Sequence, residues 1–339
     1  MDPLRAGPAS EEDRRYDLTL RPQRFADFVG QEPVLRKLEV FIRAARQRGE
    51  PLEHVLFSGL PGLGKTTLAQ MVATELGVGF QSSSGPSIER PGDIVGLLTS
   101  LKERDVLFLD EIHRLPTTVE EFLYSAMEDF KVSIVIDQGP HARAVEMAIA
   151  PFTLVGATTR DGLLTAPLRS RFGVFEKLEP YSVAELARIV TRSAALLSVE
   201  IEPAAAVGIA GRARGTPRFA NRFLRRVRDL AQVKGATRIT FAHAGEMLAM
   251  MGIDEIGLDA TDRKILELLS RTPGRAIGVK TIAVTVGETD DTVEEVYEPF
   301  LIRQGFLEKT PRGRVITESG LRYLGIVPKP GPGGQQQLF

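Results

Sequence analysis

The chain has 339 residues, 43% of them hydrophobic, and its 43 basic and 44 acidic side chains give a formal net charge of −1. This length accommodates two or three domains, and the balanced charge gives no global sign of a nucleic-acid binder. The absence of cysteine excludes disulfides, thiolate zinc sites and cysteine nucleophiles. With neither a long apolar run nor a signal-peptide core, we expect a cytoplasmic protein.

Both ends of the sequence are predicted to be flexible. Residues 1–15 are polar and charged, and residues 329–339 combine lysine, proline and glycine with three consecutive glutamines. Neither segment carries enough apolar surface to fold. The chemistry is therefore expected between them.

A phosphate-binding loop follows the first predicted strand. The apolar run 54–58 leads directly into residues 59–66, GLPGLGKT. The backbone N–H groups of such a loop wrap the phosphates of a nucleoside triphosphate, its lysine contacts the outer phosphates, and its threonine hydroxyl ligates Mg²⁺. The spacing predicts that Gly62, Gly64, Lys65 and Thr66 bind a triphosphate, and that any metal is Mg²⁺ carried by it.

Strand-like runs alternate with helical patterns in the first half of the chain. Helices are predicted to start near Lys65, Arg90 and Thr117, the last with a capping box in residues 116–121, and strands are predicted at 54–58, 78–82, 105–109 and 152–156. This alternation is typical of an α/β fold with a parallel sheet and helices on both faces.

Two adjacent carboxylates end the third predicted strand. Asp110 and Glu111 follow the apolar run 106–109, and side chains alternate along a strand, so the two carboxylates are expected to point in different directions. We predict that Asp110 holds Mg²⁺ and that Glu111 polarises the attacking water as a general base.

The next strand and the loop after it supply further candidates. Thr158 and Thr159 end the run 152–157, where a hydroxyl can sense the terminal phosphate, and Thr159 is the preferred of the two. Arg171 lies in the following loop, where its guanidinium either reaches a phosphate bound to a neighbouring subunit or forms a surface salt bridge.

A smaller helical domain is predicted at 182–255, after a boundary near residues 180–182. Its pattern is wholly helical over 182–250, with glycines marking the breaks. Arg218 is expected at the start of one of these helices, from where it could close onto bound nucleotide. The other arginines of that helix are interpreted as a solvated or interdomain face.

The last predicted domain, residues 256–328, has the order of a winged helix. Three helices, at 259–270, near 279–286 and at 292–304, precede two short strands around residues 310–314. Lys309, Arg312 and Arg314 are expected at the hairpin tip, where long cations contact DNA phosphates without reading bases.

Taken together, several motifs resemble those of the AAA+ ATPases and, more narrowly, the RuvB family of branch migration motors. The resemblance covers residues 16 to 328. The motifs that carry it are GLPGLGKTT (59–67), DEIHR (110–114), AMEDF (126–130), GATTR (156–160), SRFG (170–173), GTPR (215–218), RQGF (303–306) and TPRGR (310–314).

The resemblance implies a hexameric ring around duplex DNA, with ATP at the subunit interfaces. It implies that Thr67 joins Lys65 and Thr66 at the phosphates, and that Arg171 acts in trans and Arg218 as a second sensor. It further places Leu20, Arg21 and Tyr181 around adenine and Glu128, Asp129 and Phe130 at the nucleotide interface.

An insertion between the carboxylates and the sensor strand, residues 132–149, is predicted to form a protruding β-hairpin. The resemblance implies that it docks on a RuvA-type junction-binding protein; the alternative is a hairpin packed on its own domain. A RuvC-type resolvase is a further partner compatible with the family.

The function implied is an ATP-driven DNA translocase that promotes branch migration of Holliday junctions in recombination and repair. Two other functions share the motifs: a clamp-loader-like AAA+ ATPase, and a DNA-binding regulator that is switched by nucleotide.

Overall fold

The structure, a computed structural model, describes residues 16, 18–136 and 143–327. The predicted leader, the hairpin turn at 138–141 and the predicted tail lie outside the described residues. Two compact units are present: the first contains residues 18–136, 143–198 and 215–221, and the second contains residues 199–214 and 222–327. In the described part of the chain, no helix combines the length and apolarity needed to cross a membrane.

A parallel five-stranded sheet forms the centre of the first unit. Its strands are ordered β2-β3-β6-β1-β7, and every neighbouring pair is parallel. The unit's strands are β1 (Val55–Ser58), β2 (Phe80–Ser84), β3 (Val106–Asp110), β4 (Lys131–Ile136), β5 (Arg143–Ala148), β6 (Thr153–Thr158) and β7 (Val174–Lys177). The predicted parallel sheet is confirmed, and β7 is a strand that was not predicted.

The edge strand β7 escaped prediction because its pattern is short and mixed. Val174 and Glu176 are buried while Phe175 is exposed, so the alternation does not follow hydrophobicity. Glu176 is buried with a partner, since the Lys37 ammonium donates to its carboxylate at 2.8 Å. A buried glutamate is tolerated at this position because folding brings the Lys37 ammonium next to it.

Among the described residues of the first unit, which are also helical at 18–20, six helices have both ends defined. They are α1 (Glu32–Arg48), α2 (Lys65–Leu76), α3 (Pro91–Ser100), α4 (Thr117–Asp129), α5 (Ala166–Ser170) and α6 (Val183–Leu196), with 3-10 turns at Phe25–Asp27, Gly85–Ser87, Ile112–Arg114 and Asp161–Leu163. The strands at the centre of the sheet are largely apolar and buried, as at Leu107 and Leu154. Each such side chain contributes roughly 1.5–3 kcal/mol of stability.

The predicted capping box of α4 is wrong. The residue before the helix is Pro116, which has no side-chain acceptor, and no side chain caps the helix start. Thr117 is already inside the first turn, and Glu120 is buried. The carboxylate of Glu120 bonds to the hydroxyls of Tyr124 and Thr165.

The inserted hairpin is present, and its base is anchored in the first unit. Strands β4 and β5 pair antiparallel, from Lys131 opposite Ala148 to Ile136 opposite Arg143. Val132 is completely buried in the core, and the ring of Phe130 packs edge-on against Phe152 at 6.1 Å. Val145, by contrast, is 45% exposed. The hairpin thus packs on its own domain at its base and presents an apolar side chain further out.

The second unit begins with a small helical part. Its elements are β8 (Glu200–Ile201), α7 (Pro203–Arg212), α8 (Pro217–Val233, which begins in the first unit), β9 (Arg238–Ile239) and α9 (Phe241–Met250). Strands β8 and β9 form a two-residue parallel pair. The prediction that residues 182–250 are wholly helical is therefore wrong in this detail, because two-residue strands are too short to show an alternating pattern.

The winged helix completes the second unit and confirms the predicted fold class. Its elements are α10 (Ala260–Ser270), α11 (Val279–Val286), α12 (Asp290–Thr292), a π-helical turn (Val293–Tyr297), α13 (Glu298–Arg303), β10 (Leu307–Thr310), β11 (Gly313–Ile316) and α14 (Glu318–Tyr323). Leu266, Tyr297 and Leu301 lie at the centre of its core. The two wing strands pair antiparallel around a two-residue turn.

Candidate functional site

The loop between β1 and α2 has the geometry of a phosphate cradle. Lys65 is buried, and its ammonium donates to the carbonyls of Gly59 at 2.7 Å and Leu60 at 3.0 Å. Gly64 caps the start of α2, so Thr66 and Thr67 lie in its first turn, half-buried. The N-terminal end of this helix, with its partial positive charge, and the lysine ammonium belong to the same loop, which suits an anion.

Position 62 of this loop has no room for a side chain. Its φ is +80°, and a Cβ there would lie 2.8 Å from Cγ2 of Thr216 and 2.9 Å from Cβ of Arg218. The structure therefore places Arg218, which is exposed, next to the loop, and its role at the nucleotide remains a prediction. Thr216 was not predicted as a neighbour, although it lies only two residues before Arg218.

An aromatic wall flanks the loop. The Tyr181 hydroxyl donates to the Leu63 carbonyl at 3.1 Å, and burial raises the pKa of this phenol far above its usual range, so it stays neutral. A Cβ on Gly64 would meet the ring of Phe28 at 3.3 Å and the Tyr181 hydroxyl at 3.8 Å. Phe28 is a neighbour that the sequence analysis missed.

The predicted adenine residues near the N-terminus lie in the same unit. Leu20 is buried, and its carbonyl accepts a hydrogen bond from Arg192 at 3.0 Å. Arg21, the next residue, is half-buried. Their assignment to a base-binding pocket remains a prediction.

The two carboxylates leave β3 by a strained turn. Asp110 is the last strand residue, and its Oδ1 accepts from the N–H of Glu111 at 3.0 Å. Glu111 has a left-handed φ of +48°, which costs a non-glycine residue about 1–3 kcal/mol and is typical of functional sites. Its carboxylate pairs with Arg114 at 3.1 Å. The turn thus holds Asp110 against its own backbone, while Glu111 lies against Arg114.

Strand β6 lies between β3 and β1, so its end falls beside the loop. The N–H of Gly59 donates to the carbonyl of Thr158 at 3.2 Å. The Thr158 hydroxyl is buried, lies 3.0 Å from Nδ1 of His113 and accepts from the N–H of Arg160. Thr159 is half-buried just beyond the strand, and its role as the phosphate sensor remains a prediction.

A second cluster forms around Arg171, at the end of α5. Its guanidinium donates to the carbonyl of Pro167 at 2.7 Å and to the carboxylate of Glu128 at 3.1 Å, and it stacks over the ring of Tyr124 at 4.4 Å. The structure thus brings together Arg171 and Glu128, two residues predicted for the nucleotide interface.

The two residues after Glu128 are placed differently. Asp129 is exposed at the end of α4. Phe130 caps that helix with φ +53° and packs against Phe152, so it anchors the hairpin as well. Tyr124 was missed because its spacing from Glu128 resembles an ordinary helix stripe.

The wing places its three cations unequally. Arg312 is exposed in the two-residue turn, and Lys309 is 54% exposed, with its ammonium 3.1 Å from the Glu298 carboxylate. Arg314 is buried and pairs at 2.7 Å with both Glu294 and Glu298. The prediction that Arg314 sits at the exposed tip is wrong, because two carboxylates hold its guanidinium inside.

Comparisons with known proteins agree with this geometry. Three family models match in succession: the RuvB P-loop domain at residues 20–178, the RuvB AAA lid domain at 181–254 and the RuvB C-terminal winged helix domain at 255–325. The chain is 55% identical over 324 residues to the Holliday junction branch migration complex subunit RuvB of Myxococcus xanthus, covering 95% of this chain and 94% of that protein. The same subunit of Prosthecochloris aestuarii is 53% identical over 329 residues, covering 96% of each.

Solved structures give the same result. The RuvB Holliday junction branch migration motor of Thermotoga maritima superposes with a TM-score of 0.83 at 48% identity, covering 92% of this chain and all of that one. A point mutant of the same protein gives a TM-score of 0.84 over 91% of this chain and 99% of that one. The P-loop sheet domain, the lid and the winged helix described here are thus those of a known family, and the chain belongs to the RuvB family.

Proposed function

We propose that this protein is an ATP-driven DNA translocase that promotes branch migration of Holliday junctions together with a RuvA-type partner. One observation carries the proposal. The phosphate loop, the carboxylates of Asp110 and Glu111 and the hydroxyl of Thr159 lie on three adjacent parallel strands that end at the same edge of the sheet. The names of the relatives, branch migration subunits and a branch migration motor, support the substrate.

The residues fit a triphosphate with Mg²⁺, since a glycine-lined cradle with no room for a Cβ adjoins a buried ammonium. Bound ATP–Mg²⁺ would supply the phosphoanhydride bond whose hydrolysis drives movement. Lys65 and the N–H groups of α2 hold the phosphates, and Thr66 and Asp110 hold the metal. Glu111 orients the attacking water and accepts its proton.

The remaining site residues act at the periphery of the nucleotide. Thr159 senses the terminal phosphate, and Thr67 contacts phosphate beside Thr66. Arg218, at the start of α8, contacts the same phosphates. The adenine base lies against Leu20, Arg21 and Tyr181.

We further propose a homohexamer in which Arg171 is given to the ATP of the neighbouring subunit, with Glu128 to Phe130 at the same interface. The proposal is supported by the place of Arg171 in a cluster at the end of α5, whose bonded partners are Pro167 and Glu128. An arginine stabilises the charge that develops on the transferred phosphoryl group.

The domain division predicted from the sequence, 16–181, 182–255 and 256–328, is kept as part of the proposal and is supported by the three matching family models. The hairpin with exposed Val145 is proposed to dock on the RuvA-type protein, and the wing with Lys309 and Arg312 to contact duplex DNA in the bacterial cytoplasm.

The central test is a four-way junction dissociation assay with ATP, with and without a RuvA protein. Replacing Lys65→Ala is expected to abolish both ATP turnover and junction dissociation, because the ammonium that holds the outer phosphates is lost. A matched control is Lys177→Ala, which removes a lysine that is 66% exposed from the same unit and should leave both rates near wild type.

Three outcomes would contradict the proposal. Turnover by Lys65→Ala at the wild-type rate would show that the nucleotide site is elsewhere. Junction dissociation without ATP would separate the DNA activity from the loop. A footprint confined to one DNA sequence would indicate a regulator in place of a translocase.

A further inference from the structure

One face of α4 carries three polar side chains, each about one helical turn from the next. Glu120, Tyr124 and Glu128 recur at i, i+4 and i+8, so they line one stripe of the helix. All three contact the segment that runs from Thr165 to Arg171 and contains α5. The stripe therefore links the whole length of α5 to a single helix face.

The first contact fixes the start of α5. The buried carboxylate of Glu120 accepts from the hydroxyl of Thr165 at 2.7 Å and from the hydroxyl of Tyr124 at 3.0 Å. Thr165 is the N-cap of α5, and its hydroxyl also accepts from the N–H of Leu168. Two donors on one buried carboxylate offset its desolvation and lock both side chains into single rotamers.

The second contact fixes the end of α5. The Arg171 guanidinium lies over the face of Tyr124, with 4.4 Å between its Cζ and the ring centroid, and only 18% of the arginine side chain is exposed. Nε of Arg171 is buried without a hydrogen-bond partner among the described residues. The Tyr124 ring thus contacts the guanidinium, while the terminal nitrogens of the guanidinium bond to Pro167 and Glu128.

We propose that Tyr124 is a positioning residue for Arg171, held in place by Glu120 and Thr165. The inference rests on the proposed trans role of Arg171 and extends it. The ring supplies a flat, electron-rich surface that holds a guanidinium by cation–π attraction without neutralising its charge. Glu128, which is 56% exposed, supplies a carboxylate that a phosphate can replace. Tyr124 thus aims the arginine, and Glu128 holds it until a nucleotide phosphate takes over.

The first test separates the ring face from the hydroxyl. Replacing Tyr124→Leu is expected to lower kcat for ATP hydrolysis about 10- to 100-fold, because a small misplacement of a catalytic group has an effect of that size, with little change in ATP binding to the subunit's own loop. Replacing Tyr124→Phe keeps the ring and loses only the hydroxyl contacts to Glu120 and Thr165, so we expect a loss of kcat of about threefold or less.

Phe122→Leu is the matched structural control. It makes the same aromatic-to-leucine change on the same helix, but Phe122 packs against the apolar core. A purely structural role for Tyr124 predicts equal losses of turnover in Tyr124→Leu and Phe122→Leu, and that result would overturn the inference. Equal losses in Tyr124→Phe and Tyr124→Leu would also overturn it, because the ring would then be irrelevant.

Hexamers assembled from two different variants provide the decisive measurement. Arg171→Ala and Lys65→Ala subunits are each inactive alone, but their mixture contains interfaces with an intact loop facing an intact arginine, so turnover should partly return. Tyr124→Leu mixed with Lys65→Ala should show the same return above the sum of its components, and Tyr124→Leu mixed with Arg171→Ala should show none.

The mixtures also distinguish a failure of the proposed trans role of Arg171 from a failure of the proposed role of Tyr124. If Arg171→Ala with Lys65→Ala shows no return, the trans role of Arg171 is contradicted and the inference falls with it. If that pair recovers while Tyr124→Leu fails to complement Lys65→Ala, the proposed function stands and the role of Tyr124 is wrong.

Discussion

Two arginines of this protein are held in similar surroundings and have different consequences. Arg171, in the first unit, stacks on Tyr124 at 4.4 Å and pairs with one carboxylate that is 56% exposed. Arg214, in the second unit, stacks on the ring of Phe300 at 4.6 Å and pairs with Asp259 and Asp262. The side chains of the arginine and of both aspartates are at most 3% exposed.

The difference lies in what can replace each partner. The carboxylate at Arg171 faces solvent, so an incoming phosphate can compete for the guanidinium at little cost. The two carboxylates at Arg214 are sealed, and the same arginine also donates to the carbonyl of Gly257 at 2.9 Å. Breaking that set would leave uncompensated charge in the interior. Similar contacts therefore leave Arg171 available to a phosphate and make Arg214 a stabilising residue of the core.

The largest expected effect comes from Arg214→Ala. Removing this guanidinium leaves the buried pair of Asp259 and Asp262 without its cation, so we expect the free energy of unfolding to fall by about 3–5 kcal/mol. Arg171→Ala serves as the comparison and should lose about 1 kcal/mol or less, because its ion pair is partly exposed. Urea unfolding of both variants measures the difference. Similar losses in the two variants would show that burial does not separate them.

The pH dependence of stability sharpens the same contrast. Burial, opposed by Arg214 and assisted by Asp259, raises the pKa of Asp262 to about 8, from 3.8 in an unfolded chain. The native state therefore holds a proton that the unfolded state releases, and this contribution to stability is complete below pH 4 and lost as the pH rises through 8. Asp262→Asn, which mimics the protonated form, should flatten that fall.

Unfolding in urea at pH 6 and pH 9 checks this prediction. Wild type should lose stability between the two values more steeply than Asp262→Asn. Asp229→Asn is a suitable control because it makes the same substitution at a carboxylate that is 42% exposed and pairs with Arg226 and Arg228. An equal slope in wild type and Asp262→Asn would mean that Asp262 is ionised in the folded protein throughout.

The smallest effect is expected at the wing. Arg312 is exposed, so Arg312→Ala should weaken duplex binding about equally for all sequences and reduce the salt slope of log K by about 1. Arg322→Ala removes an exposed arginine of the same unit that lies outside the wing and should leave the slope unchanged. A sequence-dependent loss in Arg312→Ala would contradict a phosphate contact.

Several site residues were accessible from the sequence because local order defines them. The phosphate loop is a contiguous motif, and Asp110 and Glu111 follow an unambiguous apolar strand. The hairpin strands were predicted by alternation, and the wing by the order of its elements. Tyr124 and Glu120 could have been found from their spacing on α4, but that spacing is shared by most amphipathic helices.

Other features depended on contacts that no local pattern encodes. Glu176 is inward-facing because Lys37, far away in the chain, meets it. Arg314 belongs to the same basic run as Arg312, yet the π-helical turn and the start of α13 place Glu294 and Glu298 against Arg314 and bury it. A run of cations in sequence thus became one exposed and one buried arginine after folding.

The sequence by itself determined the chemistry: a triphosphate loop, its acidic partners, the order of the elements and a wing with cations. These are encoded by residue type and short-range spacing, which act before any distant contact forms. Tertiary structure alone decided which charges remain available, because burial and pairing depend on residues that are distant in the chain. It is this choice that separates Arg171 from Arg214 and Arg312 from Arg314.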